Sequence, residues 1–230
     1  MERTALIIGA SRGLGWGLAR ELVHQDWRIV GTVRHAHAPS RLHELQAERR
    51  RQVAIEELDI TRSAELAALR ARLAGERFDL LFVVAGVSND IHESIGQVST
   101  DEFVRVMVAN ALSPLRAVET LIDLVTPNGQ VAVMSSELGS IADNTDGGWD
   151  VYRASKASLN TLMRCLVARR AGDTRTFYAV APGWVRTDLG GEDAPLDIDT
   201  SVRGLLGAMR ARFGTRGLVF VDYRNEILPW

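Results

Sequence analysis

The sequence predicts a single doubly wound α/β domain, a parallel sheet of about seven strands with helices on both faces. Three observations predict it. β-type runs alternate with helical patterns over nearly all of the 230 residues, the pattern of β–α–β units joined by right-handed crossovers. Several of these runs are continuously apolar, as strands covered on both faces are. A glycine-rich turn follows the first run directly.

The elements follow in order. "TALII" is the first strand, and Leu14, Leu18 and Leu22 mark the inner face of the helix after it. "RIVGTV" precedes a helix carrying Leu42 and Leu45, and "QVAIEEL" precedes one carrying Leu66, Leu69 and Leu73. After "DLLFVV", the stretch "DEFVRVMVANALSPLRAVETLIDLV" reads as one long helix. "QVAVMS" then leads to the helix "YRASKASLNTLMRCLVARR", and the strands "RTFYAV" and "GLVFV" complete the sheet. No linker, repeat or low-complexity segment interrupts residues 1–230, so one domain is expected.

Composition narrows the function classes. Apolar residues make up 46%, enough for a buried core. A net charge of −2 gives no general attraction to nucleic acid or anionic membrane. The basic run Arg49 to Arg51 reads as a solvated helix end, and "LLFVVAGV" is too short to cross a bilayer. Cys165 is the single cysteine; it cannot form an intramolecular disulfide and reads as a packed thiol in a reducing compartment. "MERTALIIGA" leaves no room for a signal peptide, so a soluble, cytoplasmic protein is expected. His35, His37 and His43 cluster without a carboxylate or cysteine partner at ligand spacing, and no metal is expected.

Two stretches carry chemistry. "GASRGLG" places Gly9, Gly13 and Gly15 at the opening of the first helix. Glycines permit the tight turn and let backbone N–H groups approach a pyrophosphate, while the helix N-terminus supplies positive potential. The spacing differs from the GxGxxG dinucleotide fingerprint but follows its logic, and the absence of GK[ST] excludes a Walker loop. "VYRASK" sets Tyr152 four residues before Lys156. On a helix the two share a face, and an ammonium there would lower the phenol's pKa towards a usable range. Taken alone, the spacing more often marks an amphipathic helix with an ordinary surface lysine, because such spacings arise by chance.

Together with "LDIT", "AGVSN", Asn110 in "VANALSP", "SSELGS" and "APGWVRTD", these stretches follow the order and spacing of the short-chain dehydrogenase/reductase family. The chain resembles that family over nearly its whole length, and more narrowly its branch of C-factor and sniffer-type carbonyl reductases. The resemblance implies a Rossmann-type domain that transfers a hydride between a nicotinamide and a small carbonyl or alcohol. It implies Tyr152 as proton donor and acceptor. Lys156 would tune that tyrosine and hold the nicotinamide ribose, and Ser136 rather than Ser135 would bond the substrate oxygen. Asn110 would help hold a water in the proton relay. Two hydroxyls aimed at an oxygen that gains negative charge are what carbonyl reduction needs. The resemblance also implies cofactor contacts at Gly9, Ser11, Arg12, Gly13, Leu14 and Gly15, and at Asp59, Ile60, Ala85 and Gly86. Further contacts fall at Pro182, Gly183, Val185 and Thr187. A short, mobile substrate lid is expected around 188–200, and a homo-oligomer, dimer or tetramer, is the family's usual state. Asp59 has a second reading as a helix cap, and Trp149 and Trp184 are left between pocket wall and ordinary packing.

The second strand bears on the cofactor. An NAD enzyme of this fold needs a carboxylate at its end for the adenosine ribose, whereas this chain has Val33 followed by Arg34. With Arg12 in the glycine loop, Arg34 would attract a 2′-phosphate, which predicts NADP(H).

The chain departs from the family at two places. Val83 and Val84 stand where NNAG carries asparagines, and Ile8 stands where a threonine commonly precedes the first glycine. Joint replacement of polar partners by apolar ones can be near neutral, so the pair reads as a repacked strand contact beneath the cofactor. The alternative function is a non-catalytic dinucleotide-binding signalling protein of the C-factor type.

Overall fold

The computed structural model describes residues 3–230. The seven strands are β1 (Thr4–Ile8), β2 (Arg28–Val33), β3 (Val53–Glu57), β4 (Phe78–Val83), β5 (Val125–Met134), β6 (Thr176–Ala181) and β7 (Leu218–Asp222). They form one parallel sheet in the order β3-β2-β1-β4-β5-β6-β7. The chain leaves β1 towards β2 on one side and, after β3, returns to place β4 on the other. This reversal opens a crevice at the carboxyl ends of β1 and β4.

The helices are α1 (Gly13–His24), α2 (Arg41–Glu48), α3 (Ser63–Arg72), α4 (Thr100–Met107), α5 (Ser113–Leu121), α6 (Asp150–Arg169) and α7 (Ile198–Ala211). They explain the unbroken apolarity of the strands. In β1, Leu6 and Ile8 pack into one layer with Leu66, Leu115, Val118, Leu159 and Met163 of α3, α5 and α6. The alternate residues Ala5 and Ile7 pack with Leu18, Leu42, Val202 and Leu205 of α1, α2 and α7. Both faces of the sheet are dry, so no position in the strand needs to be polar.

Four local features differ from the sequence expectation. The long helix after β4 is divided by a π-helical turn, Val108–Leu112, between α4 and α5. Ser113 N–H reaches back five residues to the Val108 carbonyl, and Pro114 has no N–H to give to the Asn110 carbonyl four residues before it. β5 starts at Val125 rather than Gln130, and the register with β4 shifts between Phe78 and Leu80; the turn-like Pro127-Asn128-Gly129 hides this first half in the sequence. Helix α7 was absent from the expected elements, although Asp197 caps it by accepting from Thr200 N–H at 2.6 Å. Cys165 is exposed, not packed, because Leu159, Met163 and Leu166 define the inner face of α6 and Cys165 lies off that stripe.

The two valines have different surroundings. Val83 is fully buried and in register with Ile8, while Val84 is half-buried on the crevice wall. The polar tie beneath the glycine loop comes from β2, where Thr32 Oγ1 accepts from Gly9 N–H at 2.9 Å.

Candidate active site

A cleft of ≈ 710 Å³ opens at the carboxyl edge of the sheet. At one end lies the glycine loop. Gly9 has φ +91° and Gly13 φ +56°, in the region that favours glycine. A Cβ on Gly15 would lie 2.0 Å from the Gly9 carbonyl oxygen, and one on Gly9 would lie 2.9 Å from Ala85 N. Side chains are therefore excluded, and the backbone of Gly9, Ser11, Gly13, Leu14 and Gly15 forms the floor. No acidic residue occupies the first turn of α1, so its positive end faces the cleft uncompensated. This cradle suits a pyrophosphate.

Arg12, Arg34, Asp59 and Ile60 line the same end. Arg34 is exposed at the end of β2 and makes no ion pair among the described residues. Arg12 instead pairs with Asp188 in the segment after β6. Burial pushes the Asp59 carboxyl up, but bonds from Thr61 and the charges of Arg34 and Arg62 outweigh it and hold the group below its usual range. Asp59 is not a helix cap: its Oδ1 accepts from Thr61 N and Oγ1, and α3 begins after Arg62.

The central wall comes from β4, β5 and α6. Tyr152 and Lys156 share the buried face of α6. Lys156 Nζ donates to the Met134 carbonyl at 2.8 Å and lies 5.6 Å from the Tyr152 ring centroid. Ser136 caps the 3₁₀ turn Glu137–Gly139 by accepting from Leu138 N–H at 3.1 Å, and it lines the cleft wall together with Tyr152. Ser135 turns away, donating to Asn160 Oδ1 at 2.7 Å. Ala85 and Gly86 complete this wall, and a Cβ on Gly86 would sit 3.5 Å from Lys156 Nζ.

The expected lowering of the Tyr152 pKa is not what the site produces. Burial pushes the phenol up to about 12, outweighing the lowering influence of the nearby Ser136 hydroxyl, and pushes the Lys156 ammonium down to about 8. Desolvation penalises both charged forms.

Asn110 is fully buried and does not line the cleft. Its Oδ1 accepts from Val87 N–H at 2.8 Å, and its Nδ2 donates to Val87 O and Ser155 Oγ. The side chain therefore pins the loop after β4, and only the main-chain carbonyl above Pro114 is left for a relay.

Pro182, Gly183, Val185 and Thr187 line the cleft beneath the expected lid. Gly183 has φ +75°, and a Cβ there would meet Leu196 and Tyr223. The flanks of the expected 188–200 lid segment are tied to the fold. Val185 and Leu196 form a parallel bridge, Arg186 donates to the Ala194 and Pro195 carbonyls, and the chain from Ile198 is already α7. Both open tryptophans are cleft residues. Trp184 donates Nε1–H to Gly190 O at 2.7 Å. Trp149, at φ +57°, sets its ring edge-on to Tyr152 with centroids 5.9 Å apart. A bulky residue in this conformation stores roughly 1–3 kcal/mol. Sequence reasoning missed Thr32 and Glu137 as cleft residues. Thr32 had no motif, and Glu137 is legible only as the residue after Ser136.

His43 is satisfied locally, with its ring nitrogens 2.8 Å from Ser40 Oγ and 2.9 Å from Ala36 O. No group of three His, Cys, Asp or Glu converges among the described residues, and no described helix is long and apolar enough to cross a membrane.

Residues 9–202 match the family model described as Enoyl-(Acyl carrier protein) reductase. The C-signal protein of Myxococcus xanthus is 36% identical over 154 residues, 66% of this chain and 92% of that protein. A short-chain dehydrogenase/reductase from Burkholderia multivorans, solved with bound NADP, is 48% identical over the full length of both chains, with a TM-score of 0.97. A Pseudomonas aeruginosa carbonyl reductase in complex with NADP is 31% identical, also over both full lengths, with a TM-score of 0.92.

Proposed function

The chain belongs to the short-chain dehydrogenase/reductase family, and from that premise we propose that it is an NADP(H)-dependent carbonyl reductase. Its substrate is a small carbonyl compound, or the corresponding alcohol in reverse, and Tyr152 moves the proton. The observation that carries this reading is the convergence of Ser136, Tyr152 and Lys156 on one cleft wall opposite a glycine cradle. A protein that only bound a nucleotide would have no use for two hydroxyls directed at one point.

NADPH, when bound, supplies the hydride. The glycine loop would hold its pyrophosphate, and Arg34 with Arg12 would hold its 2′-phosphate. Substrate oxygen sits between the Ser136 and Tyr152 hydroxyls, which donate to it as negative charge develops. A phenol pushed up to about 12 is protonated at neutral pH, the state that reduction requires. As it gives up that proton, the phenolate is held by Ser136 and the Lys156 ammonium. Replacement protons pass by Lys156 and a water on the Asn110 main-chain carbonyl. The chain acts as a cytoplasmic homo-oligomer.

The similarity to the C-signal protein favours a second reading, a dinucleotide-binding signal protein without turnover. NADPH consumption against a panel of quinones, aldehydes and ketones separates the two. Tyr152→Phe is expected to bind NADPH as before, followed by its fluorescence, and to lose about a hundredfold or more of the turnover. Wild-type protein that binds NADPH and reduces nothing in the panel would leave the signalling reading standing.

A further inference from the structure

Trp149 breaks two local preferences at once. It stands at φ +57° and ψ +32°, in the left-handed region, directly after Gly147 and Gly148 at φ +68° and +70°. Left-handed backbone suits glycine or asparagine and is costly for a bulky side chain. Trp149 is also the N-cap of α6, where Ser, Thr, Asp or Asn would bond a free N–H, and the indole makes no capping hydrogen bond. Placements that go against local preference persist where function needs them.

What this placement delivers is a contact with Tyr152. The two rings meet edge to face, with an interplanar angle of 63° and centroids 5.9 Å apart. Lys156 Nζ lies 5.6 Å from the Tyr152 ring centroid. The three residues are spaced three and four apart along the start of α6, so the phenol has the indole one turn before it and the ammonium one turn after it. All three line the cleft. The segment that carries the indole is itself tied down. The Trp149 carbonyl accepts from Arg153 N–H at 2.8 Å, the Gly148 carbonyl accepts from Arg153 Nε at 3.0 Å, and Asp150 Oδ2 accepts from Ile95 N–H at 3.0 Å.

We propose that Trp149 is a positioning residue for Tyr152: its ring, held by a left-handed backbone, fixes the phenol so that the hydroxyl stays presented to the cleft during proton transfer. This rests on the carbonyl-reductase reading of the same cleft. Proton transfer depends steeply on alignment, and a misplacement of ~1 Å can cost about a hundredfold in rate. The less favourable start of α6 is the counterpart of that alignment.

The test compares Trp149→Asn, Trp149→Ala and Trp149→Phe. Asn and Ala both delete the indole, but Asn tolerates the left-handed backbone better, so Trp149→Asn is expected to unfold at a higher temperature than Trp149→Ala. With NADPH and the carbonyl that wild type reduces fastest, both are expected to lose about tenfold or more in kcat, with a smaller change in KM. Trp149→Phe, which restores an aromatic ring, is expected to recover most of that kcat. NADP+ binding, measured by calorimetry, is expected to stay within about twofold of wild type in all three, since the glycine cradle is untouched. An unchanged kcat in Trp149→Asn, a rise in KM alone as for a plain pocket wall, or a Phe variant no better than Ala would overturn the positioning role. Trp149→Asn unfolding below Trp149→Ala would overturn its backbone basis. A wild type that binds NADP+ and reduces no carbonyl would remove the reductase reading and this role with it, a result distinct from an active wild type whose Asn variant keeps its kcat.

Discussion

Lys156 carries its ammonium into a fully buried position with one hydrogen bond, to the Met134 carbonyl, and the cost of that placement is readable in stability. Its folded pKa, about 8, lies below the ordinary 10.5. The unfolded chain therefore binds more protons between those values, and unligated wild type should gain stability as pH rises through that window. Below it the full cost remains, on the order of 3 kcal/mol. Lys156→Met should accordingly resist urea better than wild type at pH 7 by roughly 1 kcal/mol, with the difference shrinking towards pH 10; a variant less stable at pH 7 would refute this account. Arg34 is the second residue with a measurable role. It has no ion-pair partner among the described residues, unlike Arg12, so it is the cation more available to a phosphate. Arg34→Ala should raise KM for NADPH by about tenfold or more while leaving KM for NADH little changed, and equal effects on both would contradict the 2′-phosphate assignment. The sequence made Tyr152 and Lys156 legible as a pair by their spacing. It could not give the direction of their pKa values, because desolvation depends on what covers α6.

Among the elements, the β1–β4 contact shows how strand position divides two adjacent valines. Val83 lies between the sheet's core residues opposite Ile8, and Val84 faces the cleft. An amide at the first position has no partner, and an amide at the second reaches the open cleft. Val83→Asn should lower stability by roughly 1–3 kcal/mol and Val84→Asn by much less, as compared by thermal unfolding. Equal losses would show that the cleft wall is as dry as the core. The departure from NNAG was visible in the sequence; which valine bears the consequence was not, since one residue's advance along a strand reverses the face it occupies. The π-helical turn was hidden for a related reason. Asn110 is an ordinary helix-interior polar residue until its side chain is seen to pin Val87.

For the molecule as a whole, the proposed homo-oligomer gives a direct prediction. Light scattering on a size-exclusion column should return two or four times the 25.3 kDa of one chain, and a single-chain mass at micromolar concentration would set that proposal aside. The sequence by itself determined the sheet, six of the seven helices in outline, the glycine cradle, and Ser136, Tyr152 and Lys156 as cleft residues. It could do so because these are local or periodic signals: apolar runs, leucines at helical spacing, glycines where no Cβ fits, and two functional groups one turn apart. Tertiary structure alone decided the rest. It set the pinning of Val87 by Asn110's side chain, the pairing of Arg12 with Asp188, and the tie from Thr32 to Gly9. Each of these joins segments distant in the chain, and burial and partner charge, which govern their chemistry, arise only when the sheet brings those segments to one edge.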